Sequence, residues 1–133
     1  MEPDLSRPPR TVLVADDDAD MRLYLAGCLH AFGVEQVVEA ADGREAFTLA
    51  KALRPDLVIS DVVMPGLDGA ALSHALRSDR LTGAIPVLLI SGETRARPSP
   101  ADGFLTKPFN AAKLRVHVDR LLATRPASKR RPR

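Results

Sequence analysis

Asp16, Asp17, Asp61, Ser91 and Lys107 share one feature: each stands where a short apolar run stops. TVLVA ends at the acids Asp16 to Asp18, LVIS ends at Asp61, PVLLI ends at Ser91 and GFLT ends at Lys107. Three carboxylates gathered in one crevice repel one another. A hard divalent cation such as Mg²⁺ is the usual remedy, because it takes oxygen ligands and suits phosphate chemistry. A lysine beside that cation offers a mobile positive charge and a serine hydroxyl offers a hydrogen-bond donor, and together they hold a phosphoryl group. A carboxylate among them can attack phosphorus and form an acyl phosphate. The chemistry that these residues suit is phosphoryl transfer onto aspartate, and it needs no histidine or cysteine of this chain.

Such residues converge only if the strands that carry them lie side by side. Thr11 to Ala15 is rich in β-branched residues and reads as a buried strand. Met21, Tyr24, Leu25, Cys28, Leu29 and Phe32 recur at helical spacing up to Gly33, a helix closed by glycine. Gln36 to Ala40 makes a second, weaker strand. Ala46, Phe47, Ala50 and Leu53 mark a second helix that ends before Pro55. Leu57 to Ile59 forms a third strand, ended at Asp61. VVMPGLDG, with Pro65, Gly66 and Gly69, reads as a loop whose Asp68 caps a third helix through Ala71, Leu72, Ala75 and Leu76. Pro86 to Ile90 is a fourth strand, Gly103 to Thr106 a fifth, and Leu114, Val118, Leu121 and Leu122 give a final helix before Pro126. Continuous apolar strands alternating with amphipathic helices predict an α/β domain, doubly wound, with a parallel sheet covered on both faces. In such a sheet ligands bind beyond the carboxyl ends of the strands, where the five polar residues stand.

The 133 residues, 45% hydrophobic and 27% charged, supply one full-sized core, so a single domain is expected. MEPDLSRPPR lacks the apolar stretch of a signal peptide, and nowhere do 18 apolar residues run together, so the expectation is a cytoplasmic protein without a membrane span. The net charge of +2 is uneven: five of the nineteen Lys and Arg lie in the last nine residues, which hold no acid, leaving −3 on the remainder. That basic end reads as a solvated terminus. Cys28 is the single cysteine and reads as a packed thiol. His30, His74 and His117 fall on or near helices, away from the strand ends, and read as ordinary surface or partly buried residues.

VLVADDDADMR, PDLVISDVVMPGLDG, VLLIS and GFLTKPF, four motifs in order at strand ends, resemble the receiver domain of bacterial two-component response regulators. The resemblance covers about residues 11–123, with 1–10 as a flexible lead and 124–133 as the basic tail. It implies a flavodoxin-like, five-stranded sheet of order 2-1-3-4-5. It implies that Asp61 is the phosphoacceptor, that Asp17 and Asp61 bind Mg²⁺ directly with Asp16 acting largely through water, and that the Val63 backbone carbonyl completes the metal site. It further implies that Ser91 and Lys107 contact the phosphoryl group, that Ser91 and Phe104 form the switch, and that the Lys107–Pro108 bond is cis. The implied partners are a sensor histidine kinase or histidine phosphotransfer protein and an output protein of unknown identity. A receiver is a signalling protein rather than an enzyme, although it promotes its own phosphorylation and dephosphorylation, and no DNA-binding domain is expected here.

In isolation Asp16 to Asp18 read as residues that cap and charge a helix start, a role Asp18 is expected to keep, Asp61 as a loop aspartate, Ser91 as a turn residue and Lys107 as a surface lysine. Their conjunction carries the reading. Two features depart from the family. GETRARPSPADG is short, carries Pro98 and Pro100 and has almost no apolar residues, so the helix of the fourth crossover is expected to be absent or reduced to a turn. Phe104 lacks a tyrosine hydroxyl, so switching would rest on ring burial. Val63 and Glu93 hold the positions that set acyl-phosphate lifetime in the family; Val63 cannot orient a water. Two other readings compete: a pseudo-receiver acting as a phosphorylation-independent binding module, against which the complete five-residue set argues, and a metal-dependent hydrolase, for which no insertion supplies a substrate cap.

Overall fold

A computed structural model of the chain describes residues 9–92 and 101–124. Nine elements follow in order: β1 (Thr11–Ala15), α1 (Ala19–Ala31), β2 (Gln36–Ala40), α2 (Gly43–Leu53), β3 (Leu57–Asp61), α3 (Gly69–Ser78), β4 (Val87–Ser91), β5 (Gly103–Thr106) and α4 (Ala111–Ala123). All strand pairs are parallel and the sheet order is β2-β1-β3-β4-β5, the expected topology.

Each helix starts on an Asx side chain that accepts from an amide of the first turn, which would otherwise lack a partner. Asp18 accepts from Asp20 N at 2.9 Å, Asp42 from Glu45 N at 2.8 Å, Asp68 from Ala71 N at 2.8 Å and Asn110 from Lys113 N at 2.9 Å. Glu45 Oε1 in turn accepts from Ala41 N at 2.8 Å, a variant of the capping box. Helix α2 stops on Arg54 in the left-handed region, φ 47°, directly before Pro55.

Because side chains alternate across a strand, the sheet divides the core in two. Val12, Val14, Leu57, Ile59, Leu88, Ile90 and Leu105 meet Leu25 and Leu29 of α1 and Leu114, Val118 and Leu121 of α4 on one face. Leu13, Ala15, Val58, Val87 and Leu89 meet Ala46 and Ala50 of α2 and Leu72 and Leu76 of α3 on the other. Cys28 lies half-buried against the first of these clusters. β2 is an outer strand and its side chains are the most exposed of the five, which accounts for its weak apolar signal.

Two boundaries shift from the sequence reading. β4 begins at Val87 rather than Pro86, since proline has no amide to donate to the ladder, although its carbonyl accepts from Val58 N at 3.0 Å. Gly69 belongs to the first turn of α3 instead of the preceding loop. The expected loss of the fourth crossover helix falls on residues 93–100, outside the described residues, as do Glu93, residues 1–8 and residues 125–133.

Candidate functional site

The register of the sheet decides what the strand ends bring together. Ala15 lies opposite Ser60, so Asp16 follows beside Asp61; Asp61 lies opposite Ile90, so Ser91 follows; and Ser91 lies opposite Thr106, so Lys107 follows. The last step is tied by Lys107 N donating to the Ser91 carbonyl at 2.8 Å. One carboxylate oxygen from each of Asp16, Asp17 and Asp61 lies within 4.8 Å of the other two. Lys107 Nζ stands 3.2 Å from Asp61 Oδ2. Asp16 and Ser91 are buried, Asp61 is nearly so and Asp17 is exposed. The peptide bond between Lys107 and Pro108 is cis.

The Asp16 carboxylate is the site's least satisfied group. Its Oδ1 accepts from Asp18 N at 2.9 Å, while Oδ2 is buried and finds no hydrogen-bond partner among the described residues. Burial pushes its pKa up from 3.8; the Asp18 amide opposes this, and the charge of Asp61 adds to it. A carboxylate with one buried oxygen that lacks a donor, grouped with two more carboxylates, offers hard oxygen ligands, and these residues fit a divalent cation such as Mg²⁺. On the loop after β3, Val63 N lies a long 3.3 Å from Asp61 Oδ1, and the Val63 side chain, 73% exposed, projects away from the fold. Phe104 on β5 is half-buried against the cluster under α2 and α3. His30 and His74 are exposed on α1 and α3, and His117 lies on α4.

The sequence model of the response regulator receiver domain matches residues 12–119. The chain belongs to that family. The transcriptional regulatory protein PdtaR of Mycobacterium tuberculosis is 41% identical over 109 residues, 80% of this chain and 53% of PdtaR, so the receiver spans about half the length of that curated relative. The chemotaxis response regulator CheY4 of Vibrio cholerae is 32% identical with a TM-score of 0.78, over 86% of this chain and 99% of CheY4. The receiver domain of a Pseudomonas aeruginosa sensor histidine kinase, which holds a magnesium ion in its own cleft, shares the fold at 21% identity with a TM-score of 0.81, over 87% of this chain and 99% of that one. Among the described residues of this receiver no helix is long and apolar enough to cross a membrane.

Reading strand ends alone missed three residues that shape the receiver's site. Gly69 brings the start of α3 against the backbone of β3: a Cβ there would overlap the Asp61 carbonyl oxygen and lie 2.8 Å from Val62 Cα. Gly43 does the same for α2 and the loop after β3, where a Cβ would overlap the Leu67 carbonyl oxygen. Arg22 donates from Nη1 to the Asp16 carbonyl at 2.6 Å. Glycine in a turn motif is an ordinary sequence signal, but close backbone approach between distant segments leaves none.

The strain on Asp16 has a measurable consequence. With metal chelated at neutral pH, Asp16→Asn is expected to stabilise the receiver by about 1 kcal/mol, because it removes a desolvated charge while the new amide can donate to a neighbouring carboxylate. The folded protein holds the Asp16 proton more tightly than the unfolded chain does. This carboxyl's stabilising contribution is therefore fully present below its unfolded pKa and is lost as pH rises through the raised folded value. The advantage of the variant opens with rising pH and closes below about pH 4. Urea denaturation at several pH values checks it; an equal advantage at pH 3 and pH 7 would contradict this account.

Proposed function

We propose that this receiver, taken as residues 11–123, accepts a phosphoryl group onto Asp61 from a phosphohistidine of a sensor histidine kinase or histidine phosphotransfer protein. The observation that carries the reading is the meeting of three carboxylates within 4.8 Å, with Lys107 Nζ 3.2 Å from the one at the centre of the sheet. An Asp61 oxygen forms the bond to phosphorus as the bond from phosphorus to the imidazole nitrogen breaks, and the imidazole leaves with the electron pair and takes up a proton. Asp17, Asp61 and the Val63 carbonyl hold Mg²⁺, with Asp16 acting largely through water; bound there, the ion supplies charge neutralisation at the transferring oxygens. Lys107 follows the phosphoryl as its negative charge arrives on Asp61, and the Ser91 hydroxyl donates to it. Ser91 drawn toward the phosphoryl opens room beside β4 for the Phe104 ring, which turns inward and changes the surface seen by an output protein.

Intact-protein mass spectrometry after incubation with phosphoramidate tests the reading. One added phosphoryl is expected with Mg²⁺ and none after chelation. No adduct in either arm, with the protein folded, would favour a binding module that works without phosphorylation.

A further inference from the structure

Asp17 is the exposed member of the acidic set, and among the described residues no hydrogen bond or ion pair holds its carboxylate. Its backbone therefore sets the point from which that carboxylate reaches the site, and its rotamers do the rest. The residue before it is tied at both ends: in the peptide that enters Asp16, Asp16 N donates to the Ala40 carbonyl of β2 at 3.1 Å, and in the peptide that leads on to Asp17, the Asp16 carbonyl accepts from Arg22 Nη1 at 2.6 Å. Arg22 sits in the first turns of α1 and is itself anchored, with Nε 3.1 Å from Glu39 Oε1 on β2. Its side chain is 19% exposed and that of Glu39 is 43% exposed. A guanidinium, with several donors in a rigid planar fork, holds a carbonyl and a carboxylate in fixed, different directions at once.

We propose that Arg22, braced by Glu39, is a positioning residue that fixes the Asp16–Asp17 peptide and so sets the affinity of the acidic site for its divalent cation. The inference rests on the reading of that site as a Mg²⁺ site. A guanidinium is an unexpected neighbour for a cation site, since as a bare positive charge it repels the ion. The two roles therefore carry opposite signs. If Arg22 acts through its charge, removing it tightens Mg²⁺ binding; if it acts by holding the peptide, removing it weakens binding. Groups that orient metal ligands change affinity by about ten- to a hundredfold when lost.

The test is calorimetric titration of the metal-free protein with Mg²⁺, for the wild type, Arg22→Gln, Arg22→Lys and Glu39→Ala, each checked for its fold by circular dichroism. Arg22→Gln is expected to weaken binding about tenfold. Arg22→Lys should fall between, because an ammonium on a flexible stem keeps the charge and can donate but lacks the rigid fork that fixes both directions, and Glu39→Ala should cost about threefold through a loosened Arg22. Phosphoryl uptake should recover to the wild-type rate at saturating Mg²⁺, with only the concentration required shifted, a pattern that general destabilisation does not produce. Should Arg22→Gln fail to fold, the other two variants decide. Wild type without Mg²⁺ binding would defeat the metal-site reading and this inference with it. Wild type that binds, with variants that bind equally or more tightly, would overturn the inference alone.

Discussion

Asp61→Asn is expected to slow phosphoryl uptake by at least about a thousandfold, in line with the losses that follow removal of a nucleophile. Asparagine keeps the size and planarity of the side chain, but an amide is no nucleophile toward phosphorus. The stability of the variant separates this loss from misfolding. Asp61 raises the cost of ionising Asp16, so neutralising it relieves the buried acid. It also deprives Lys107 of its carboxylate partner, but Lys107 is partly open to water, which replaces that partner at little cost. The metal-free variant is thus expected to be at least as stable as wild type in urea while taking up no phosphoryl by intact mass. Uptake at the wild-type rate would move the nucleophile to another acid of the cluster, Asp16 or Asp17.

Gly69→Ala should unfold or severely weaken the receiver. The added methyl meets only backbone, namely the carbonyl of Asp61 and Val62 Cα at 2.8 Å, and no rotamer relieves it. Either α3 must lift or the end of β3 must move, and the Gly69 N–H to Val62 carbonyl bond at 2.8 Å ties the two together. A loss of about 3 kcal/mol or more is expected in urea denaturation. Whatever remains folded carries a displaced Asp61, so phosphoryl uptake falls as well. Gly27→Ala is the matched control: it lies within α1 with nothing within 4 Å of a Cβ and should stabilise by about 0.5–1 kcal/mol. Equal effects from the two substitutions would show that close approach at Gly69 is not what selects glycine there.

The elements were legible from local rules. A parallel sheet covered on both faces demands strands that are apolar throughout, so TVLVA and VLLIS stand out, and each stops where a polar side chain reaches the sheet's edge. Asp18 and Asp68 as caps were legible too, because capping depends on residues two or three positions away. A helix start without a cap singled out was less so: α4 begins at Ala111 on the Asn110 cap, before the apolar period shows itself at Leu114.

The sequence by itself determined the fold class, the strand ends and the residue types gathered there, since those follow from hydrophobic period and side-chain chemistry. Only the tertiary structure decided the distances among Asp16, Asp17, Asp61 and Lys107, the buried oxygen of Asp16 that lacks a donor, the clamp of Arg22 on the peptide before Asp17, and the backbone approach at Gly43 and Gly69. Each of these depends on the register between strands and on segments far apart in the chain, and pairwise packing across such separations leaves no period or local motif to read.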